Sequence, residues 1–204
     1  MNATTAPGGL TEPQQAPVLN IANALTVLRL ALVPVFIWLM LQPGGLLRLI
    51  AVLVFCVAAA TDRLDGQLAR SRNLVTDFGR ITDPIADKAL TLSAFVLLSV
   101  DGLLWWWVTL LIIARELGIT VLRFLMLRRA VMAASRGGKL KTVLQMIGLI
   151  GLITPWSLLL APAVARILVW GSYAVIAAAL VVTVVTGLDY VRQAVILSRG
   201  PAAR

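Results

Sequence analysis

Apolar residues dominate this chain in long runs, and polar residues gather in the short intervals between them. Six runs stand at roughly 23–42, 46–70, 80–100, 104–130, 140–161 and 165–195. Each is close to the ~20 residues that a helix needs to span a bilayer. Breakers mark the divisions, with "QPGG" at 42–45, Asp101-Gly102, "SRGG" at 135–138 and "LAPAVA" at 160–165, where Gly and Pro interrupt helices. The pattern predicts an all-α polytopic membrane protein with six transmembrane helices. It divides the chain into a tail over 1–18, a single membrane domain over 19–198 and a short tail over 199–204.

The first tail, "MNATTAPGGLTEPQQAPV", has no basic residue beyond the amino terminus and no apolar core, so it does not read as a signal peptide. Its Ala, Pro, Gly, Thr and Gln content predicts disorder. No internal repeat is apparent. Trp105, Trp106 and Trp107 open the fourth run and read as an interfacial belt.

Composition sharpens the class. The 204 residues are 60% hydrophobic and 13% charged, with mean hydropathy +0.94, whereas a soluble domain is about half apolar and a quarter charged. Net charge is +9, from 18 basic and nine acidic residues. The basic residues lie between apolar runs and are not interleaved with aromatics. Anionic lipid head groups, phosphorylated substrates and the positive-inside rule therefore account for them, and no nucleic acid is expected as a partner. Arg63, Arg70, Arg72, Arg80 and Lys88 surround the turn between runs two and three, and Arg128, Arg129, Arg136, Lys139 and Lys141 surround the turn between four and five. The alternate connections hold only Arg48 and Arg166. This asymmetry places both termini, and the second and fourth connections, on the cytoplasmic side of the cell (plasma) membrane.

There is no histidine, and the single cysteine, Cys56, lies in an apolar run. It reads as a small buried hydrophobe. A metal would have to be held by oxygen, which favours Mg²⁺ or Mn²⁺.

Five of the nine acidic residues fall within "TDRLDGQLARSRNLVTDFGRITDPIADKA" at 61–89. Asp62 and Asp65 are three apart and Asp83 and Asp87 four apart, so on helices each pair shares a face. Gly66 and Ala69 continue the first face, and Arg70 follows as a cation suited to phosphate. A short connection carrying Gly79 folds the second pair back towards the first. Carboxylates in membrane spans are costly and usually functional. Four of them can bind two divalent cations, an arrangement suited to in-line phosphoryl transfer. The competing reading is a solvated loop with salt bridges, against which stands the alignment on helix faces. Asp77 fits neither pair and reads as a loop acid.

The pattern Asp62-x2-Asp65-Gly66-x2-Ala69-Arg70-x8-Gly79-x3-Asp83-x3-Asp87 resembles the complete signature of the CDP-alcohol phosphatidyltransferase family. The resemblance implies six helices with an active site at the cytoplasmic side. It also implies attack of a hydroxyl on the lipid-bearing phosphate of a CDP-linked substrate, with release of CMP. By similarity, Asp62, Asp65, Asp83 and Asp87 hold two divalent cations and Asp87 is the proposed base. Gly66, Arg70 and Thr76 match positions that contact the CDP group, and Ala69 leaves room for the cytidine.

Four further segments, "NIANALTVLRLALVPVF" (20–36), "DPIADK" (83–88), "IIARELGITVLR" (112–123) and "GGKLKTVLQM" (137–146), resemble members of the family that join CDP-diacylglycerol to sn-glycerol 3-phosphate. Members using inositol phosphate, or phosphatidylglycerol in cardiolipin synthesis, are the alternatives. Arg115 and Arg123 lie eight apart on the fourth run, and Lys139 and Lys141 follow the next turn. A cationic pocket of these residues suits an acceptor that carries its own phosphate. The other reading pairs Arg115 with Glu116 or a motif acid. Asn23, Thr26 and Arg29 line the nucleotide side of the site or anchor the first helix, and Arg192 reads as snorkelling. Besides the two substrates and the lipid bilayer, a second copy of the chain is a candidate partner, as a homodimer, although the sequence does not reveal the oligomeric state.

Overall fold

The computed structural model describes residues 21–71, 77–126 and 136–199. Within them, the side chains at 21–23, 62–71, 77–84, 87, 123–126, 136–137, 139, 193–195 and 197–199 fall outside the description. Among the described residues every element is a helix: α1 (Ile21–Leu41), α2 (Gly45–Ser71), α3 (Asp77–Val100), α4 (Trp106–Met126), α5 (Arg136–Ile153), α6 (Trp156–Leu159) and α7 (Pro162–Arg199).

The long helices follow the apolar runs, and the differences have local causes. The fifth run does not continue to 161, because α5 stops at Ile153 and Thr154-Pro155 separates it from the single turn of α6. Proline lacks an amide donor and disfavours helical geometry in the residue before it. Pro162 instead opens α7, since the first helical position needs no amide donor. Asp77 and Gly79 are not in the connection: α3 begins at Asp77, so both occupy its first turn. An acid there is favoured by the helix dipole. Gly44 and Gly102 take positive φ of 113° and 71° in the turns after α1 and α3, a conformation glycine adopts without steric cost.

Helices α1, α2 and α3 pack against one another, α5 lies along α7, and α4 also leans on α7. The shared core includes Phe36, Phe55, Leu90, Phe95, Leu98, Ile112, Leu149 and Ile153, all essentially inaccessible. Phe36 and Phe55 meet with ring centroids 5.4 Å apart. On the outside, Leu53, Leu110, Val121, Ile167, Val181, Val185 and Leu188 are exposed. Exposed apolar surface of this extent is expected where the surroundings are acyl chains. Among the described residues two helical segments, Ala24–Leu41 and Pro162–Arg192, are long and apolar enough to cross a membrane. Trp105, Trp106 and Trp107 are exposed, as the belt reading requires.

One end of the bundle is tied by polar contacts. Arg48, at the start of α2, pairs with Asp101 at 2.9 Å and donates from Nε to the Ile153 carbonyl at 2.9 Å. Tyr173 donates its hydroxyl to the Leu103 carbonyl at 2.5 Å. These contacts gather the beginning of α2 and the ends of α3 and α5. The last turns of α2 and the first turns of α3, which carry the motif, therefore lie at the opposite end.

Candidate active site

Asp62, Asp65, Gly66, Ala69 and Arg70 occupy the last turns of α2, and Asp83 and Asp87 the first turns of α3. The helical spacing puts each carboxylate pair on one face, and α2 and α3 are in contact. The side chains of all these residues, and Thr76 altogether, lie outside the described residues, as do the side chains of Lys139 on α5 and Arg123 on α4. Among the described residues no three His, Cys, Asp or Glu side chains converge. The four aspartates offer only hard oxygen donors, which fit Mg²⁺ or Mn²⁺ better than a soft metal.

Beside the motif the described side chains form a charged centre. Glu116, the one acidic residue of α4, receives three cations from three helices. Lys88 of α3 reaches Oε2 at 2.9 Å. Lys141 of α5 and Arg115 of α4 both donate to Oε1, Arg115 from Nη1 at 3.3 Å. Glu116 and Lys141 are buried. Since Lys88 directly follows Asp87, helix α3 carries one cation of the centre as well as the second carboxylate pair.

Arg115 is also held from another direction. Its Nε donates to the Thr183 carbonyl at 3.1 Å and its Nη2 to Thr186 Oγ1 at 2.9 Å. Both partners are on α7. Thr186 Oγ1 in turn donates within its own helix, to the Val182 carbonyl at 2.7 Å. Gln145 of α5 approaches Thr183 Oγ1 at 3.5 Å, extending the polar strip inwards.

The arrangement carries surplus positive charge. Among the described side chains, one carboxylate balances one of three cations, leaving +2 in a largely enclosed place. Donors also remain. An ammonium has three N–H groups and a guanidinium five, so each lysine retains two and Arg115 two beyond the contacts above. Such a centre can take a compact dianion by charge-assisted hydrogen bonds.

Of the predicted pocket, Arg115 and Lys141 are brought together, and Arg115 pairs with Glu116, as its second reading expects. The buried position of Lys141 sets it apart from a solvated loop lysine. Thr26 and Arg29 are inaccessible within the bundle, so they face inwards and do not anchor α1 in head groups. Arg192 is exposed. Glu116 and Lys88 were not expected as site residues. A lone carboxylate inside an apolar helix was the available signal, since such groups are rarely without function.

Comparison with known proteins agrees with the motif. The family model for CDP-alcohol phosphatidyltransferase matches residues 19–192. A Mycobacterium tuberculosis protein named "Probable phosphatidylglycerophosphate synthase" is 46% identical over 183 residues, covering 88% of this chain and 84% of its own. An Escherichia coli protein named "CDP-diacylglycerol--glycerol-3-phosphate 3-phosphatidyltransferase" is 40% identical over 173 residues, covering 82% and 88%. A Bacillus subtilis protein of the same name is 35% identical over 187 residues, covering 84% and 93%. The chain belongs to the CDP-alcohol phosphatidyltransferase family and is an integral membrane protein.

Proposed function

We infer that the chain transfers the phosphatidyl group of CDP-diacylglycerol to sn-glycerol 3-phosphate, forming phosphatidylglycerophosphate and CMP. The observation that carries this reading is the cationic surplus around Glu116 beside the motif helix, which suits an acceptor bearing its own phosphate. The names of the relatives point to the same acceptor. Inositol phosphate would also satisfy the charge, and only the relatives' names favour glycerol 3-phosphate over it.

In this reading the acceptor hydroxyl oxygen bonds to the lipid-bearing phosphorus, and the bond from that phosphorus to the oxygen of CMP breaks. CMP departs with the electron pair. Asp87 takes the hydroxyl proton. Gly66, Ala69, Arg70 and Thr76 hold the CDP group, while Arg115, Lys139 and Lys141, with Arg123, hold the acceptor phosphate. Asp62, Asp65, Asp83 and Asp87 would hold two divalent cations, which neutralise phosphate charge when bound. The six long helices cross the plasma membrane as six spans, with both termini and the site facing the cytoplasm, a placement supported by the clusters of basic residues.

The test is product analysis by lipid mass spectrometry after incubating purified protein with CDP-diacylglycerol and each candidate acceptor. Phosphatidylglycerophosphate from glycerol 3-phosphate is expected, with activity abolished by EDTA and restored by Mg²⁺ or Mn²⁺. Product from inositol phosphate alone would refute the acceptor assignment. For orientation, cysteines placed at Thr4, Arg136 and Ala203 should react with an impermeant thiol reagent only after spheroplasts are opened.

A further inference from the structure

We propose that Glu116 is a positioning residue that builds the acceptor-phosphate pocket, and that it brings Lys88 into that pocket as a further cation. This rests on the reading that the acceptor carries a phosphate.

A carboxylate serving only to fasten two helices needs one cation. Glu116 has three, from α3, α4 and α5, and their mutual repulsion in an enclosed site opposes the arrangement. The geometry divides them: Lys88 is on Oε2, whereas Lys141 and Arg115 share Oε1. The cations are therefore spread around one point, each with N–H donors left over.

They differ in how they are held. Arg115 keeps its place through Thr183 and Thr186 of α7 whatever happens at Glu116. Among the described residues, the ammonium groups of Lys88 and Lys141 have Glu116 as their hydrogen-bond partner. Without the carboxylate these flexible side chains would repel each other and Arg115. Glu116 thus sets where two of the three cations wait for the phosphate. A glutamine cannot substitute, because it has one acceptor oxygen and presents an N–H₂ group to an ammonium.

The decisive measurement is a comparison of Michaelis constants for Glu116→Gln, Glu116→Asp and Lys88→Gln in purified full-length protein. Loss of a charge-assisted contact set should raise the KM for glycerol 3-phosphate about 10- to 100-fold in Glu116→Gln. The KM for CDP-diacylglycerol and kcat should stay within about threefold, the signature of lost acceptor binding. Glu116→Asp keeps the charge and should recover most of the acceptor affinity. Lys88→Gln, at a partly exposed site, should raise the same KM even if Glu116→Gln fails to fold. Equal rises in both KM values, loss of kcat alone, a Glu116→Asp no better than Glu116→Gln, or an unmoved acceptor KM in Lys88→Gln would each overturn the proposal. If wild type makes no product from glycerol 3-phosphate, the functional reading fails and the proposal with it. If it does, an unsplit Glu116→Gln refutes the role of Glu116 alone.

Discussion

Gly187 lies against the stem of Arg115: a Cβ at position 187 would come within 3.2 Å of Arg115 Cγ and 3.5 Å of its Nε. Helix α7 thus both supplies Thr183 and Thr186 to the guanidinium and leaves room for its methylenes. Gly187→Ala pushes a flexible side chain by a few tenths of an ångström, against a helix-propensity gain of about 0.5–1 kcal/mol. It should be close to neutral for stability and for activity. Gly187→Leu cannot be absorbed this way, and overpacking costs about 1–3 kcal/mol. It should displace Arg115 and raise the KM for glycerol 3-phosphate more than that for CDP-diacylglycerol. Steady-state kinetics on both variants checks the contrast.

The α5–α7 contact depends on two other glycines. A Cβ at Gly151 would fall 2.9 Å from Ser172 Cβ, and one at Gly148 would fall 2.7 Å from Ile176 Cγ1. Small residues let helices approach closely where lipid provides no hydrophobic drive for association. Gly148→Ala and Gly151→Ala should each destabilise by about 1–3 kcal/mol. Gly118→Ala and Gly171→Ala are the controls, since a Cβ at either site meets nothing within 4 Å. They should be neutral or slightly stabilising. Thermal unfolding in detergent separates the pairs, and equal losses at all four would contradict the packing account.

Arg48 couples three connections at the end of the bundle away from the motif. Asp101→Asn weakens a partly exposed pair worth up to about 1 kcal/mol. Arg48→Ala also removes the donor to the Ile153 carbonyl, worth about 1 kcal/mol more. Both should lower the melting temperature, Arg48→Ala by more. Neither should change either KM. A selective change in substrate affinity would mean that this end communicates with the site.

How much of this was legible in sequence depended on whether the signal was local. Apolar run lengths and the breakers "QPGG" and Asp101-Gly102 marked the helices because each acts on its own few residues. The end of α5 was missed because Thr154-Pro155 lies within an apolar run, where its effect on backbone geometry does not change the hydropathy. Asp77 reads as a loop acid because it fits neither carboxylate pair, and Gly79 as part of the short connection, although an acid also favours a helix start. The motif was readable from spacing within two adjacent helices. The Glu116 centre was not: Lys88, Glu116 and Lys141 lie 25 or more residues apart, and only the packing of α3, α4 and α5 joins them.

Substitution at Asp87 separates the two roles proposed for it. It lies one helical turn beyond Asp83 on α3, where a carboxylate can share a cation with its neighbour and also take the acceptor proton. General-base assistance is worth roughly 10²–10⁴ in rate. Asp87→Asn preserves shape but removes a proton acceptor and a negative charge. If the base role dominates, kcat falls by about that factor while CDP-diacylglycerol still binds in the presence of Mg²⁺ or Mn²⁺. Asp62→Asn, at a residue assigned to the cations alone, should instead lose cation and nucleotide binding together. Calorimetric titration of metal and of a CDP-lipid analogue into each variant distinguishes these outcomes. Equal loss of metal affinity in both variants would make Asp87 chiefly a ligand. Near-normal kcat in Asp87→Asn would remove it from both roles, and the proton acceptor would then have to be sought among Asp62, Asp65 and Asp83.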